Sequence, residues 1–194
     1  MTAKRRAKRQ AIFDAAASRM AQHGYHAARM QDIADDLGLQ KAALYYYFDS
    51  KEAVLVELIR ERVGLALEAV TGIALSDAPP DAKIDQAVRT HLQVFNEHAD
   101  LYTIFNSEKL HSVSPEAATI VDDLGRSYER RWEEMLGEGV RSGLFRPDLD
   151  LPVTVKAVMG MLNNTLTWYS PAGRLEIEAL AERFVALIRS GVMD

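Results

Sequence analysis

An all-α fold of about nine helices is predicted by three features of this sequence. Apolar residues recur at the spacing of one helix face along nearly the whole chain, glycines and prolines fall between those periodic stretches, and no run holds the two-residue alternation of a strand. The one β-forming cluster, Tyr45-Tyr46-Tyr47-Phe48, lies directly after helix signals and does not stand alone. With 194 residues, 48% apolar and 26% charged, the chain has material for a small head and a larger body. The absence of cysteine excludes a disulfide framework, a thiolate metal site and a thiol nucleophile. No stretch approaches the ~20 apolar residues of a membrane span; the most apolar one, Leu151 to Tyr169, contains Lys156, Asn163 and Asn164. The basic opening MTAKRRAKRQ is not followed by a secretory apolar run, because Asp14, Arg19 and Gln22 interrupt it. A cytoplasmic chain with no membrane partner is expected.

The elements follow in order. From Arg9, the residues Ile12, Phe13, Ala16, Ala17 and Met20 form one apolar face, and Gly24 is a C-terminal stop. A short helix runs from Met30 to Leu37, Gly38 turns the chain, and a third helix spans about Lys41 to Tyr47. Ser50 is placed as the N-cap of a longer helix through Val54, Leu58, Val63 and Leu67. After a Pro79-Pro80 loop, helical patterns cover about 82–97 and 101–110. Ser114-Pro115-Glu116 opens a helix as cap, first-turn proline and acid, and Gly143 closes it. Asp150 and Pro152 open the next, Pro171 and Gly173 end it, and the last spans about 176–188.

Charge is divided unevenly along this chain. Residues 1–55 hold nine basic and six acidic side chains, a net of +3, and the other 139 residues carry −8. A basic head on an acidic body suits contact with a polyanion at one end only, although a solvated charged face would give the same totals. The run Lys4 to Arg9 reads as a solvated arm that attracts a polyanion without sequence preference.

Two short helices joined at Gly38 after a basic lead-in have the layout of a helix-turn-helix. The first of the pair turns Ile33, Ala34 and Leu37 inward. The second offers Gln40, Lys41, Ala42 and Ala43 at its start, small or polar groups that let a helix approach base edges, with Leu44 facing inward. The hydroxyls of Tyr45, Tyr46 and Tyr47 can donate to phosphate oxygens, and Lys51 adds a charge at the next helix start.

From Ile12 to Leu55 the chain resembles the DNA-binding head of TetR-family transcriptional regulators. The motifs that carry the resemblance are Ala15-Ala16, Gly24-Tyr25, Asp32-Ile33-Ala34, Leu37-Gly38-Leu39, Leu44-Tyr45-Tyr46-Tyr47-Phe48 and Ser50-Lys51-Glu52. The resemblance implies a ligand-responsive repressor that binds a double-stranded operator as a homodimer. It also implies a head at residues 1–50, an effector-binding and dimerising body at 51–194, and association through the last two helices. By position it makes Lys41 and Ala42 neighbours of base edges, Tyr45, Tyr46 and Tyr47 groove or phosphate contacts, Gln31 a polar contact and Lys51 a phosphate contact. Two residues depart from the family pattern: Arg29 stands where a capping threonine is usual, and Gln40 where a serine is common. Loss of the hydroxyl cap costs about 1 kcal/mol locally, while Arg29 can still hold a phosphate.

The body is similar to TetR regulators that sense acyl-CoA thioesters, through Gly143-Leu144-Phe145-Arg146-Pro147-Asp148, Met161-Leu162-Asn163 and Trp168-Tyr169-Ser170-Pro171-Ala172-Gly173. Where that group tends to carry arginines, this chain has Thr167 and Ser170. Phe95, Tyr102, Phe105, Trp132, Met159, Asn163 and Trp168 are candidate pocket residues, although aromatics and methionines at helical spacing are more often core. Asn163, Asn164 and Thr165 lie within an apolar helix, where a buried amide needs a ligand, a second subunit or an internal network. No cofactor is called for. His91, His98 and His111 lack carboxylates at metal-pair spacing, so no metal site is assigned. No hydrolase, nucleotide-binding or zinc-protease motif is present, which argues against an enzyme. The rival reading is a helical acyl-thioester-binding enzyme or carrier whose head serves only association.

Overall fold

The computed structural model describes residues 2–107 and 110–193, with the side chains of residues 105–107 and 166 outside that description. The described residues form ten helices: α1 (Ala3–His23), α2 (Met30–Asp36), α3 (Lys41–Tyr45), α4 (Lys51–Ala74), α5 (Pro80–Glu97), α6 (Ala99–Ser107), α7 (Leu110–Val113), α8 (Pro115–Arg141), α9 (Leu151–Trp168) and α10 (Ile177–Val192). The tenth is α7, a single turn that apolar spacing merges with its neighbour. The only β pairing among the described residues is an isolated antiparallel bridge between Phe145 and Met193.

Local chemistry explains the boundaries. Gly24, Gly38 and Gly143 take φ of 79°, 61° and 75°, the left-handed region that lets a chain leave a helix. Ser50, Ser114 and Asp150 accept from the backbone N–H three residues on, at 3.0, 3.1 and 3.1 Å. Neither Arg29 nor Gln40 makes a side-chain cap bond. The first helix begins earlier than expected. Thr2 Oγ1 accepts from Arg5 N at 3.4 Å, so Lys4 to Arg9 are helical rather than a free arm.

Packing divides the chain into two units. The first comprises Met1–Val63 and Ala99–Asp122. Its core joins Ile12, Phe13, Ala16 and Met20 of α1 to Ile33 and Ala34 of α2, Leu44 of α3 and Leu55, Leu58 and Ile59 of α4. Leu101 and Ile104 of α6 complete it. Phe13 and Phe48 set their rings 5.4 Å apart, and the Arg9 guanidinium lies 4.7 Å over Phe48 while pairing with Glu57.

The second unit comprises Gly64–His98 and Asp123–Asp194. Its core gathers Ile84 and Leu92 of α5, Trp132 and Met135 of α8, Val155 and Leu162 of α9, and Leu180 and Ile188 of α10 around Phe145. Arg189 ties α10 to α5 through Asp85, at 2.8 Å on both oxygens, and through Asp81 at 3.0 Å. The buried Lys83 ammonium meets Glu138 at 2.7 Å, so neither charge of that pair is left unmatched. Asn163 and Asn164 are exposed in the described chain, contrary to the expectation of buried amides; α9 turns Thr165 inward, and its hydroxyl donates to the Met161 carbonyl at 3.4 Å.

Candidate functional site

The head presents its second short helix outward. In α2, Ile33 and Ala34 are fully enclosed, which fixes the turn that follows: Gly38 N and Leu39 N donate to the carbonyls of Asp35 and Ala34 at 3.1 and 2.9 Å. In α3 only Leu44 is buried, and it anchors the helix. Gln40, Lys41, Ala42, Tyr45 and Tyr46 are exposed, Tyr46 to 71%, while Tyr47 is half-buried against the core. Of the three tyrosines, two therefore remain free to meet a ligand. Lys41 Nζ sits 5.8 Å from the Tyr45 ring centroid, a cation–π arrangement that keeps its charge beside the exposed face. Arg29 and Gln31 are exposed at the start of α2, and Gln31 donates to Asp35 at 2.7 Å.

The basic start of α1 joins this face. Thr2, Lys4, Arg5, Ala7 and Lys8 line a shallow cleft of about 630 Å³ together with Tyr46 and Tyr47, and the Arg5 guanidinium lies 5.7 Å from the Tyr46 ring. Sequence reasoning treated these cations as non-specific. Their placement beside α3 depends on how α1 crosses the head core, which the spacing of one helix does not encode. Arg19 on α1 grips Asp36 at the end of α2 through two bonds of 2.5 Å, and this pairing holds the Asp36 carboxyl below its usual range.

Lys51, for which the resemblance implies a phosphate contact, is held by the protein's own backbone. Its ammonium donates to the carbonyls of Tyr25 (2.5 Å), Ala28 (2.9 Å) and His26 (3.3 Å), and stands 4.2 Å from the Tyr25 ring centroid. The first turn of α4 is thereby fastened to the loop between α1 and α2 by one charged donor shared among three carbonyls.

Lys41 stands exposed in the first turn of α3. Lys41→Ala is expected to weaken binding to the preferred duplex by ~1–3 kcal/mol and to relax sequence preference. Retardation of a randomised duplex pool checks this; a loss uniform across sequences would mean that Lys41 touches phosphate alone.

The pocket candidates separate by unit. Tyr102 is half-buried in the first, and the side chain of Phe105 lies outside the described residues. In the second, Trp132, Phe95 and Met159 are buried, Asn163 is exposed, and Trp168 is 54% exposed with its ring edge toward Phe184. Sequence reasoning missed the pair at the centre of this group. His91 Nδ1 faces Tyr128 Oη at 2.9 Å, and its ring stacks on Phe95 with centroids 4.0 Å apart. The signal available was a histidine on the apolar face of α5, between Val88 and Phe95.

Burial pushes His91 down to about 3 from an ordinary value of 6.5, against a smaller opposing effect of the Asn163 amide. The ring is uncharged in the fold, while its unfolded counterpart takes a proton below pH 6.5. Between pH 6.5 and about 3 the unfolded state holds more protons, so stability falls as pH falls, by up to about 1.4 kcal/mol per unit. The stability difference between the parent chain and His91→Phe is expected to be flat above pH 7 and to shift in favour of the variant below 6. Denaturant titrations at several pH values measure it; a constant difference would contradict the assignment.

Groove geometry adds one more surface. Along α9 and α10 an apolar groove of about 300 Å³ is lined by Val153, Ala157, Met161, Leu187, Ile188 and Gly191. Val153 and Leu187 are 62% and 57% exposed, unusual for residues of their size.

A short outward helix after a glycine turn, anchored by one leucine and flanked by cations, defines a helix-turn-helix regulator. Residues 12–58 match the model for bacterial regulatory proteins of the tetR family, and residues 77–192 match that for a tetracyclin repressor-like C-terminal domain. The chain belongs to the TetR family of DNA-binding transcriptional regulators. It is similar to the HTH-type transcriptional repressor KstR2 of Rhodococcus jostii, 26% identical over 95% of this chain and 91% of that protein. It is also 25% identical to the fatty acid metabolism regulator protein of Bacillus subtilis, over 97% of each. The solved structure of the ketosteroid transcriptional regulator KstR2 of Mycobacterium tuberculosis superposes with a TM-score of 0.85 at 26% identity, covering 96% of this chain and 95% of that one. Membership in a family of regulators removes the rival reading of an enzyme or carrier. No described helix is long and apolar enough to cross a membrane.

Proposed function

We propose that this regulator is a cytoplasmic repressor that binds a pseudo-palindromic operator as a homodimer and is released by a small hydrophobic effector of the acyl-CoA thioester class. The observation that carries the reading is the exposed face of α3, where Lys41, Ala42, Tyr45 and Tyr46 stand free beside the cations of α1 while Leu44 alone holds the helix down. Residues 1–50 are its DNA-binding part, with Arg29, Gln31 and Gln40 at the margins, and residues 51–194 bind effector and dimerise. Two of the relatives above are named as a ketosteroid transcriptional regulator and a fatty acid metabolism regulator, which supports an apolar effector. The exposed apolar groove of α9 and α10 supports association through those helices, since pairing two copies would cover Val153 and Leu187.

Release requires that effector bind more tightly to a form whose recognition helices no longer fit successive major grooves, ~34 Å apart; equal affinity for both forms would move nothing. The test is retardation of duplex from upstream of its own or a neighbouring gene. Specific binding that weakens by about 10³-fold or more between 50 and 200 mM salt is expected, with release on adding octanoyl-CoA. Binding of equal strength to any duplex would overturn operator recognition, and a complex indifferent to acyl-CoA of every chain length would overturn the effector class.

A further inference from the structure

The cations of α1 divide by their partners. Arg9 is held by Glu57 and covers the Phe48 ring, and Arg19 is held by Asp36, so both of these charges are matched within the head. Lys4, Arg5, Arg6 and Lys8 have no carboxylate within ion-pair distance among the described residues. Lys4 and Lys8 stand four residues apart on one side of the helix, where like charges repel, and the first turn of α1 holds no acid to relieve them. An anion seated between them would remove that repulsion.

Three of these four cations converge on one place. Lys4, Arg5 and Lys8 line the cleft of about 630 Å³ that α1 shares with Tyr46 and Tyr47, and no carboxylate is among its lining residues. Arg6 is exposed as they are but does not line it. Tyr46 is 71% exposed, with its ring edge-on to Tyr47 at 5.2 Å and 5.7 Å from the Arg5 guanidinium. Tyr46 follows the last turn of α3, so the cleft lies at the opposite end of that helix from Lys41. A recognition helix puts its N-terminal residues on base edges. Its other end therefore leads out of the groove, toward the sugar-phosphate chain at the margin.

We infer that Lys4, Arg5 and Lys8, with the Tyr46 hydroxyl, form a fixed phosphate seat that grips the DNA strand bordering the groove entered by α3. The inference rests on the reading of this chain as an operator-binding regulator, and it adds α1 to the elements that set how α3 is seated. Thr2 caps α1 and these residues are helical, so their charges stand at set positions instead of trailing on a free arm. A free arm attracts any polyanion alike, whereas a fixed set of cations engages particular phosphates and thereby holds register. The shallow form of the cleft suits a strand passing across it rather than a small anion enclosed within it.

The experiment uses the full chain and the duplex that it selects from a randomised pool. Arg5→Gln is expected to lower the salt slope of binding by about one, and Arg6→Gln, which removes an equal charge from the neighbouring position, to leave it unchanged. Lys4→Gln combined with Lys8→Gln is expected to lower the slope by about two and to weaken binding about tenfold or more at ~0.15 M salt. The comparison of Arg5 with Arg6 stands even if the double variant folds poorly. Ethylation of single phosphates gives a second readout. Phosphates beside each half-site whose ethylation blocks the parent chain and Arg6→Gln are expected to become indifferent for the double variant. Equal loss from Arg5→Gln and Arg6→Gln would reduce the cleft to diffuse attraction and overturn the inference. An unchanged slope in the double variant, or an ethylation pattern identical to the parent's, would do the same. Loss of binding to phosphatidylglycerol vesicles with duplex binding intact would assign these cations to a membrane surface instead and likewise overturn it. In each of those cases a selected duplex leaves the regulator reading standing; failure to select any duplex would sink that reading and the inference with it.

Discussion

Lys51→Met is expected to lower the stability of the head and to abolish specific DNA binding in the same variant. The ammonium now serves three carbonyls of the loop between α1 and α2, at 2.5, 2.9 and 3.3 Å, from the first turn of α4. Methionine keeps much of the stem's packing against the Tyr25 ring but supplies no donor. Hydrogen bonds from a charged group are worth about 1.5–3 kcal/mol each in favourable cases, and their loss leaves acceptors partly enclosed. A decrease of about 2–3 kcal/mol is a conservative expectation for the set, because the longest bond is weak and the site is half-exposed. Ala28 directly precedes Arg29 and α2, so loosening this loop also loosens the helix that positions α3. Thermal melts beside DNA retardation separate the two roles. An unchanged melt, with binding weakened equally on all sequences and a salt slope lowered by about one, would return Lys51 to the phosphate role.

Gly139→Ala is expected to destabilise the second unit by about 3 kcal/mol or more. A Cβ built at Gly139 would stand 2.0, 2.3 and 2.6 Å from three atoms of the Phe145 ring, far inside contact distance. Overpacking is mild when the neighbour can swing aside, and Phe145 cannot. Its ring is 2% exposed, its N–H donates to the Gly139 carbonyl at 3.0 Å, and the next residue donates to Val192 at 2.9 Å. Moving the ring would also disturb the bridge from Phe145 to Met193. Gly125→Ala on the same helix is the control. Nothing lies within 4 Å of a Cβ there, so replacing a helical glycine by alanine should stabilise by about 0.5–1 kcal/mol. If both substitutions stabilised the chain, the close approach of Phe145 would be refuted.

Much of the fold was legible because its signals are local. Helix stops at Gly24, Gly38 and Gly143, and caps at Ser50, Ser114 and Asp150, are decided within about four residues of themselves. The buried faces of α1 and α2 follow from the spacing of Ile12, Phe13, Ala16, Ile33 and Ala34. The outward face of α3 was legible for the same reason, since one leucine among small and polar residues leaves no doubt about which side is covered. Local signals also misled. The basic run before Arg9 has no apolar periodicity, yet it is helical because Thr2 caps it and the rest of α1 carries it onward. Asn163 and Asn164 sit in an apolar helix but on its exposed side, and average hydropathy does not state which residues face out.

By itself, then, the sequence determined the succession of helices, the turn between α2 and α3, and the family to which the chain belongs, all properties of short stretches read in order. Tertiary structure alone decided that Ala99–Asp122 joins the core of the head. It alone brought Lys51 to carbonyls 23 to 26 residues away, His91 to Tyr128 across 37, and Arg189 to Asp81 and Asp85 across more than 100. The physical reason is that helical periodicity records which face must leave water and is silent about which other helix will cover it. Partners for a lysine, a histidine or an arginine exist only once those faces have met.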